Sequence, residues 1–500
     1  MTRQPTRRDT LAGLAAIAGL GASLAAPSAA GASGRLPAAD LSVLPFDLPS
    51  PEVLSSAKQK VVSHWHYFPR SYDNLPAQDD QYARDFMSPS GSNGLYRDVG
   101  GFILERPLPR PPIASTDWDV QDMATDAREA SAIGIDAFQM NFTTLEYYGW
   151  LYLLKMQQAV LQEKLPLRLM PNLDCTMKPL DRFLATHPEA IVAAFRRGGL
   201  MTTPDGRLML SAFLAEAWTA DYWSKMLGNI RKLGVEVQFI PMFLDLSKVT
   251  PAHLALTDIV STWSGNRIGA TQAFGLYSRL KFAPGKPWMA PIFPQDCRPK
   301  EGWYNESGGS EMFRGAWMAA IGLNAAIADL VTWNDYSESS EVRPSTGIQY
   351  GFYDLAAYFI AWYKTGSPPP IRRDALYYFH RVESATALGL GVAQQRRMEM
   401  RHGPGPKNEI ELVAFLAEPG EISISAGGKT FSRQAPAGLQ VLKAPLAPGR
   451  PQFGLKRGGQ SVIALDSAFT IREKSDYQDL LYRAGSSNRP PIEDLAQARG

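Results

Sequence analysis

The chain has 500 residues, more than one hydrophobic core usually fills, so two folded units are expected. Charged residues make up 20 % and hydrophobic ones 45 %, which is the balance of a soluble enzyme and excludes a disordered or membrane-embedded chain. The formal charge of +2 is carried entirely by Arg3, Arg7, Arg8 and Asp9 at the start, and the neutral remainder leaves no electrostatic case for nucleic-acid binding.

Thr6-Arg7-Arg8-Asp9-Thr10-Leu11 opens a weakly apolar, Ala/Gly-rich segment running to Ala26 and resembles a bacterial twin-arginine leader. The segment is too short and glycine-rich for a comfortable membrane span. Residues 1–34 therefore read as an export signal, with cleavage frames at Ser28-Ala29-Ala30 and Ala30-Gly31-Ala32. The processed chain is expected to be periplasmic or extracellular, clear of the membrane, and a monomer or small oligomer. Cys175 and Cys297 are too few for a disulfide framework. His64, His66, His187, His253, His380 and His402 show no metal-ligand spacing beyond the His64/His66 pair, so neither a zinc ion nor a cofactor is expected.

Residues 35–366 alternate short apolar strands with helical periodicities, and eight such units predict a closed (β/α)8 TIM barrel of the α/β class. The expected strands are 60–66, 135–142, 167–174, 208–214, 235–241, 258–263, 287–293 and 327–334. Among the helices, Val120, Met123, Ala127 and Ala130 share a face that ends before Gly134. Another runs from Asp221 through Trp223, Met226, Ile230 and Leu233, and the last spans 354–363 and closes at Gly366. Residues 68–112 exceed an ordinary βα loop and read as a lid or substrate wall, or as a disordered insertion. No G-x-G-x-x-G follows the first strand, which argues against a nucleotide.

Carboxyl-end residues of barrel strands converge on one face. Here these are His64, His66, Asn141, Asp174, Ser211, Trp263 and the turn Trp333-Asn334-Asp335-Tyr336-Ser337-Glu338. Two carboxyl groups three residues apart repel each other's charge, which can separate them into proton donor and acceptor. An Asx turn with a solvated glutamate is the plain alternative, and helix capping is the plain alternative for Asp174. Asp136 lies early in its strand and is assigned to packing or the barrel's lower end.

Ser367-Pro368-Pro369-Pro370 breaks the helical pattern as a linker. Strand-like runs at 409–416, 422–425 and 460–465 then predict a C-terminal antiparallel β-sandwich over 371–485 that packs on the barrel or has a binding role of its own, with a mobile tail from 486 to 500. For Arg314 an exposed helix-face charge is the plain reading.

These segments resemble glycoside hydrolase family 71, the endo-α-1,3-glucanases or mutanases. The family's V-V-A-H-F is matched by Val61-Val62-Ser63-His64-Trp65, and its G-I-D-A-F-A-L-N by Gly134-Ile135-Asp136-Ala137-Phe138-Gln139-Met140-Asn141. S-F-D-M corresponds to Asn172-Leu173-Asp174-Cys175, and S-T-F-A-G to Ser211-Ala212-Phe213-Leu214-Ala215. T-W-N-D-Y-G-E-S corresponds to Thr332 through Ser339, with Ser337 in place of glycine. Arg314 also matches an arginine of the family.

The resemblance implies a glycosidase cutting α-1,3-glucosidic bonds of a polysaccharide or oligosaccharide by inversion, with acid and base carboxyls about 6.5–9.5 Å apart. Asp335, Glu338 and Asp174 are the implied catalytic carboxylates. Glu338 would protonate the leaving oxygen and Asp335 would activate water, with Asp174 assisting across the mouth. His64, Asn141, Ser211, Trp263, Trp333, Asn334 and Tyr336 would bind sugar. Two segments depart from the family pattern, Ser261-Thr262-Trp263-Ser264-Gly265 and Phe293-Pro294-Gln295-Asp296, and both line the expected cleft. A barrel glycosidase acting on another linkage, or an exported glycan binder without activity, are the alternatives.

Overall fold

The computed structural model describes residues 39–66, 74–143, 148–176, 187–387 and 393–490; the expected leader and residues 491–500 lie outside them. Eight parallel strands form one sheet: β1 Lys60–Trp65, β2 Ala137–Phe142, β3 Arg168–Asp174, β4 Leu208–Phe213, β5 Val237–Phe243, β6 Ser261–Thr262, β7 Met289–Ile292 and β8 Ile327–Leu330. Their order is β6-β5-β4-β3-β2-β1-β8-β7. The open seam is closed by Val260 N–H donating to Pro287 O at 2.9 Å and Met289 N–H to Val260 O at 2.8 Å, which makes the sheet a barrel. Every strand expected from the sequence is present. The last stops at Leu330 rather than Asn334, because the chain leaves the sheet there to form the loop described below.

A helix follows each strand in turn: α1 Trp118–Ala132, α2 Tyr148–Gln162, α3 Pro188–Arg197, α4 Ala220–Lys232, α5 Pro251–Leu256, α6 Ala270–Tyr277, α7 Glu311–Gly322 and α8 Gly351–Thr365. Local chemistry sets their ends. The Thr219 hydroxyl accepts the Tyr222 N–H to start α4, and Thr250 and His253 form a reciprocal capping box ahead of α5, with Pro251 in its first turn. Gly366 takes φ 82° after α8 and returns its N–H to Trp362 O at 2.8 Å, a left-handed stop that a side chain would strain.

Strand alternation sorts the side chains. Val61, Trp65, Phe138, Met140, Leu169 and Leu210 point outward beneath the helices, whereas Val62, Ala137, Met170, Met209, Ile240, Met289 and Ile327 fill the lower barrel. Asp136 does sit at the lower rim, accepting the Val61 N–H at 2.7 Å and pairing with Lys364 Nζ at 2.7 Å. With its floor plugged by apolar side chains, the barrel can hold polar chemistry only at the carboxyl end.

The C-terminal unit is a sandwich of two antiparallel sheets. Its strands are β9 Ala375–His380, β10 Glu409–Leu416, β11 Gly420–Ala426, β12 Lys429–Ala435, β13 Gly438–Pro445, β14 Gln452–Arg457, β15 Gln460–Asp466 and β16 Arg483–Ser486. They pair in the orders β13-β10-β9-β16 and β12-β11-β14-β15. The first sheet is covered on both sides. Tyr377, Phe379, Val413, Phe415 and Ala484 join the barrel core with α8, and Leu376, Tyr378, Leu412 and Ala414 face Ile422, Ile424, Phe453 and Leu455 of the second sheet. That is why β10 reads as a continuous apolar run while β11 alternates buried with half-buried residues.

Two expectations are corrected at this junction. Arg314 is no exposed helix charge: it donates to Glu411 Oε1 at 2.7 Å on β10. The segment from 486 is not loose as far as residue 489. Ser486 pairs with Tyr377, and Arg489 holds Asp354 of α8 through two bonds of 2.9 and 2.7 Å. None of the described helices is long and apolar enough to cross a membrane.

Candidate active site

Beyond β8 the chain winds over the barrel mouth and is stitched to itself. Thr332 N–H donates to Ser340 O at 2.6 Å, Val342 N–H to Thr332 O at 3.0 Å, and Trp333 N–H reaches across to His64 O on β1 at 2.8 Å. Residues 335–339 form the tip of this closed loop. Within it the Thr332 hydroxyl accepts the Asp335 N–H at 2.8 Å, and Asp335 Oδ1 accepts the N–H and hydroxyl of Ser337 at 3.0 and 2.6 Å. The Asx turn is therefore real, and it orients the candidate carboxylate. Glu338 N–H donates to Asp335 O at 3.2 Å, fixing the two acidic residues on one turn.

Glu338 is nearly buried. Its Oε1 accepts from Arg298 Nη1 at 2.6 Å, and its Oε2 is enclosed with no hydrogen-bond donor. Arg298 is itself fixed by Asp296, with Nε to Oδ1 at 2.7 Å. Burial pushes the Glu338 carboxyl up to about 7; Arg298 opposes the rise, the charges of Asp335 and Asp296 add to it, and Lys300 opposes it weakly. Lys300 donates to the Ser337 hydroxyl at 2.7 Å, and burial lowers its own pKa. A proton donor near neutrality beside a second carboxylate is the arrangement that general acid–base chemistry requires.

A polar layer lies directly under this turn. His64 Nε2 is 3.4 Å from Asp329 Oδ2, and its Nδ1 is 3.3 Å from Asn141 Oδ1, which also accepts from Asn172 Nδ2 at 2.7 Å. Gln139 Nε2 donates to Asp329 Oδ1 at 2.7 Å. At the mouth the Trp263 ring is met edge-on by His64 at 4.6 Å, Phe213 at 5.0 Å and Phe293 at 5.7 Å. Asn141 and Trp263 keep partial access to solvent. Asp174 ends β3, three strands around the barrel from β8, and its Oδ1 accepts the N–H and hydroxyl of Thr176 at 3.0 and 2.6 Å. The structure thus joins Asp335 to Glu338 in one turn and holds Asp174 elsewhere on the same rim.

Five of the expected sugar-binding residues are corrected. His64, Ser211, Trp333 and Tyr336 are 0 % exposed and Asn334 is 1 % exposed, so none presents a surface to a ligand. Trp333 turns outward between Phe138 and Tyr353, with ring centroids at 5.5 and 6.3 Å. Tyr336 packs with Tyr82, Phe86, Phe102 and Ile103 of the long segment after β1, which covers this loop as a wall. Asn334 braces His66, whose N–H donates to Oδ1 at 2.8 Å and whose carbonyl accepts from Nδ2 at 2.9 Å. His64 and Ser211 belong to the layer below the mouth.

Arg298 and Lys300 were missed by sequence reasoning. The signal is the alternation Asp296-Cys297-Arg298-Pro299-Lys300 just past β7, at the carboxyl end where barrel chemistry is placed, continuing the segment Phe293-Pro294-Gln295-Asp296 that departs from the family pattern.

The sequence matches the family described as Glycosyl hydrolase family 71 over residues 113–482. It is similar to a mutanase of Penicillium rubens, 20 % identical over 421 residues that cover 77 % of this chain and 89 % of that protein. It is also similar to the glucan endo-1,3-alpha-glucosidase agn1 of Schizosaccharomyces pombe, 22 % identical over 406 residues covering 73 % and 92 %. Among solved structures, the GH99 endo-alpha-mannosidase of Bacteroides thetaiotaomicron aligns with a TM-score of 0.48 at 13 % identity, covering 61 % of this chain and 97 % of that one.

Proposed function

The chain belongs to glycosyl hydrolase family 71 and is a glycosidase, and from that premise we propose that it hydrolyses α-1,3-glucosidic bonds of an α-glucan with inversion at the anomeric carbon. The observation that carries the mechanism is Glu338: a nearly buried carboxyl with a pKa pushed up to about 7, adjoining Asp335 at the barrel mouth. In its protonated form Glu338 gives its proton to the glycosidic oxygen as the bond from that oxygen to the anomeric carbon breaks. Asp335 takes a proton from water as the water oxygen bonds to the anomeric carbon from the opposite face. Proton exchange with solvent then resets both groups. We assign sugar contacts to Asn141 and Trp263, which reach the mouth, and a supporting role across it to Asp174. Export by the twin-arginine-type leader and action as a monomer complete this reading.

The test is release of reducing ends from insoluble α-1,3-glucan and from a panel of other polysaccharides, with the anomeric form of the first product read by proton NMR. Wild-type protein should release the β-anomer from α-1,3-glucan, and Glu338→Gln and Asp335→Asn should each lose at least about a hundredfold in rate. Release from another glycan only would discard the substrate, and binding without release would discard the enzyme reading of this chain.

A further inference from the structure

Just beyond β7 the chain makes a short hairpin, Cys297–Arg298 paired antiparallel with Trp303–Asn305, and the latter pairs in turn with Glu399–His402. The hairpin is therefore a rigid element. It is also tied to the catalytic loop by main chain, the Cys297 N–H donating to Glu338 O at 2.8 Å. It carries two cations, one bonded to the Glu338 carboxylate and the other bonded to the Ser337 hydroxyl beside Asp335. Arg298 is held on the Asp296 carboxylate, lies over the Trp303 ring at 4.4 Å and donates to Glu338. Lys300 lies 5.0 Å from the Phe102 ring centroid and donates to the Ser337 hydroxyl, which spends its one proton on Asp335 Oδ1. Lys300, Ser337 and Asp335 thus form a directional chain in which each bond polarises the next. The hydroxyl exists only because serine occupies the place of the glycine in the motif this loop resembles.

We propose that this hairpin is the positioning element of the carboxylate pair, Arg298 acting on Glu338 directly and Lys300 acting on Asp335 through the Ser337 hydroxyl. The proposal rests on reading Glu338 as the acid and Asp335 as the base. Arg298 occupies Oε1 of Glu338, so a proton that Glu338 carries sits on Oε2. Because Arg298 also favours the charged form, it keeps the acid strong enough to release that proton near neutrality, against the burial that would otherwise hold it. The charged groups facing Glu338 are Arg298, Asp335, Asp296 and Lys300; those facing Asp335 include Lys300, Glu338 and His66, whose Nδ1 is 4.0 Å from Oδ2.

The experiment titrates the carboxyls without substrate, by infrared spectroscopy of the full chain carrying 13C-carboxyl Glu or Asp, with the bands assigned by their loss in Glu338→Gln and Asp335→Asn. Arg298→Met should raise the Glu338 midpoint by about one pH unit, a tenfold gain in proton affinity, and Arg298→Lys should restore most of it. Lys300→Met and Ser337→Gly should each raise the Asp335 midpoint, and the double variant should raise it no further than Lys300→Met alone. Folded variants with unmoved midpoints, or additive Lys300 and Ser337 effects, overturn the proposal. Should Arg298→Met fail to fold, Arg298→Lys and the Lys300/Ser337 comparison decide it. Moved bands in a protein that cuts no α-1,3-glucan would sink the substrate reading and leave the positioning intact; cleavage with unmoved bands would do the reverse.

Discussion

Asn334 grips the backbone of His66 at both ends of its amide, taking the N–H at 2.8 Å and giving to the carbonyl at 2.9 Å. A side chain of the loop after β8 thereby does what a neighbouring strand would do for the end of β1, and it fixes the loop against the barrel wall.

Asn334→Ala removes both bonds from a partly buried stretch of backbone, at a cost of about 1–3 kcal/mol. We expect a lower melting temperature and a fall in kcat with KM little changed, since Asn334 touches no sugar. Asn334→Asp keeps the acceptor and loses the donor, so it should fall between wild type and alanine in thermal melts.

The rate should decline as pH rises through about 7, because Glu338 must be protonated to act and its carboxyl is pushed up to about 7. Stability follows the same group. A carboxyl whose folded value lies above the ordinary 4.5 contributes stability that is complete below 4.5 and lost as pH rises through about 7, on the order of 3 kcal/mol across that window. Glu338→Gln cannot take on the charge. Its melting temperature should therefore drop less than that of wild type between pH 5 and pH 8, and equal drops would show that Glu338 titrates normally.

Trp333 distinguishes core from cleft. Its ring is fully buried between Phe138 and Tyr353, so Trp333→Ala should cost about 3–5 kcal/mol and deplete folded protein. Trp333→Phe should recover most of the stability. A sugar-stacking tryptophan would behave otherwise, with KM rising in a protein that melts at the wild-type temperature.

The ion pair between Arg489 and the buried Asp354 predicts a sharp limit to C-terminal truncation. Ending the chain after residue 487 leaves Asp354 buried without its cation, a loss of about 3–5 kcal/mol, whereas ending it after residue 490 keeps the pair. Limited proteolysis and melting curves of the two truncations should differ accordingly, and Asp354→Asn should recover part of the loss in the shorter one.

The barrel was legible because its information is local and repetitive. Each strand is short, apolar and bounded by turn residues, and the period-two alternation that places Val62 and Met170 inside also places Val61 and Leu169 outside. The Asp335/Glu338 turn was legible for a related reason, since both acids lie within four residues of chain. Alternation ceases to inform once the chain leaves the sheet at Leu330. Trp333, Asn334 and Tyr336 therefore read as cleft residues from their neighbours in sequence, although each turns into packing. Arg298 meets Glu338 and Lys300 meets Ser337 across about forty residues of sequence, a pairing set by the order β8-β7 rather than by anything adjacent.

One sheet of the sandwich serves as the floor of one core and the ceiling of another, with Tyr377 and Phe379 turned to the barrel helices and Leu376 and Tyr378 turned away. Cutting the chain at the proline linker would strip α8 of that cover and leave two sticky surfaces in place of one dry seam. The barrel and the sandwich should accordingly melt in a single transition, and attempts to obtain a minimal catalyst should find that the smallest soluble version keeps the sandwich.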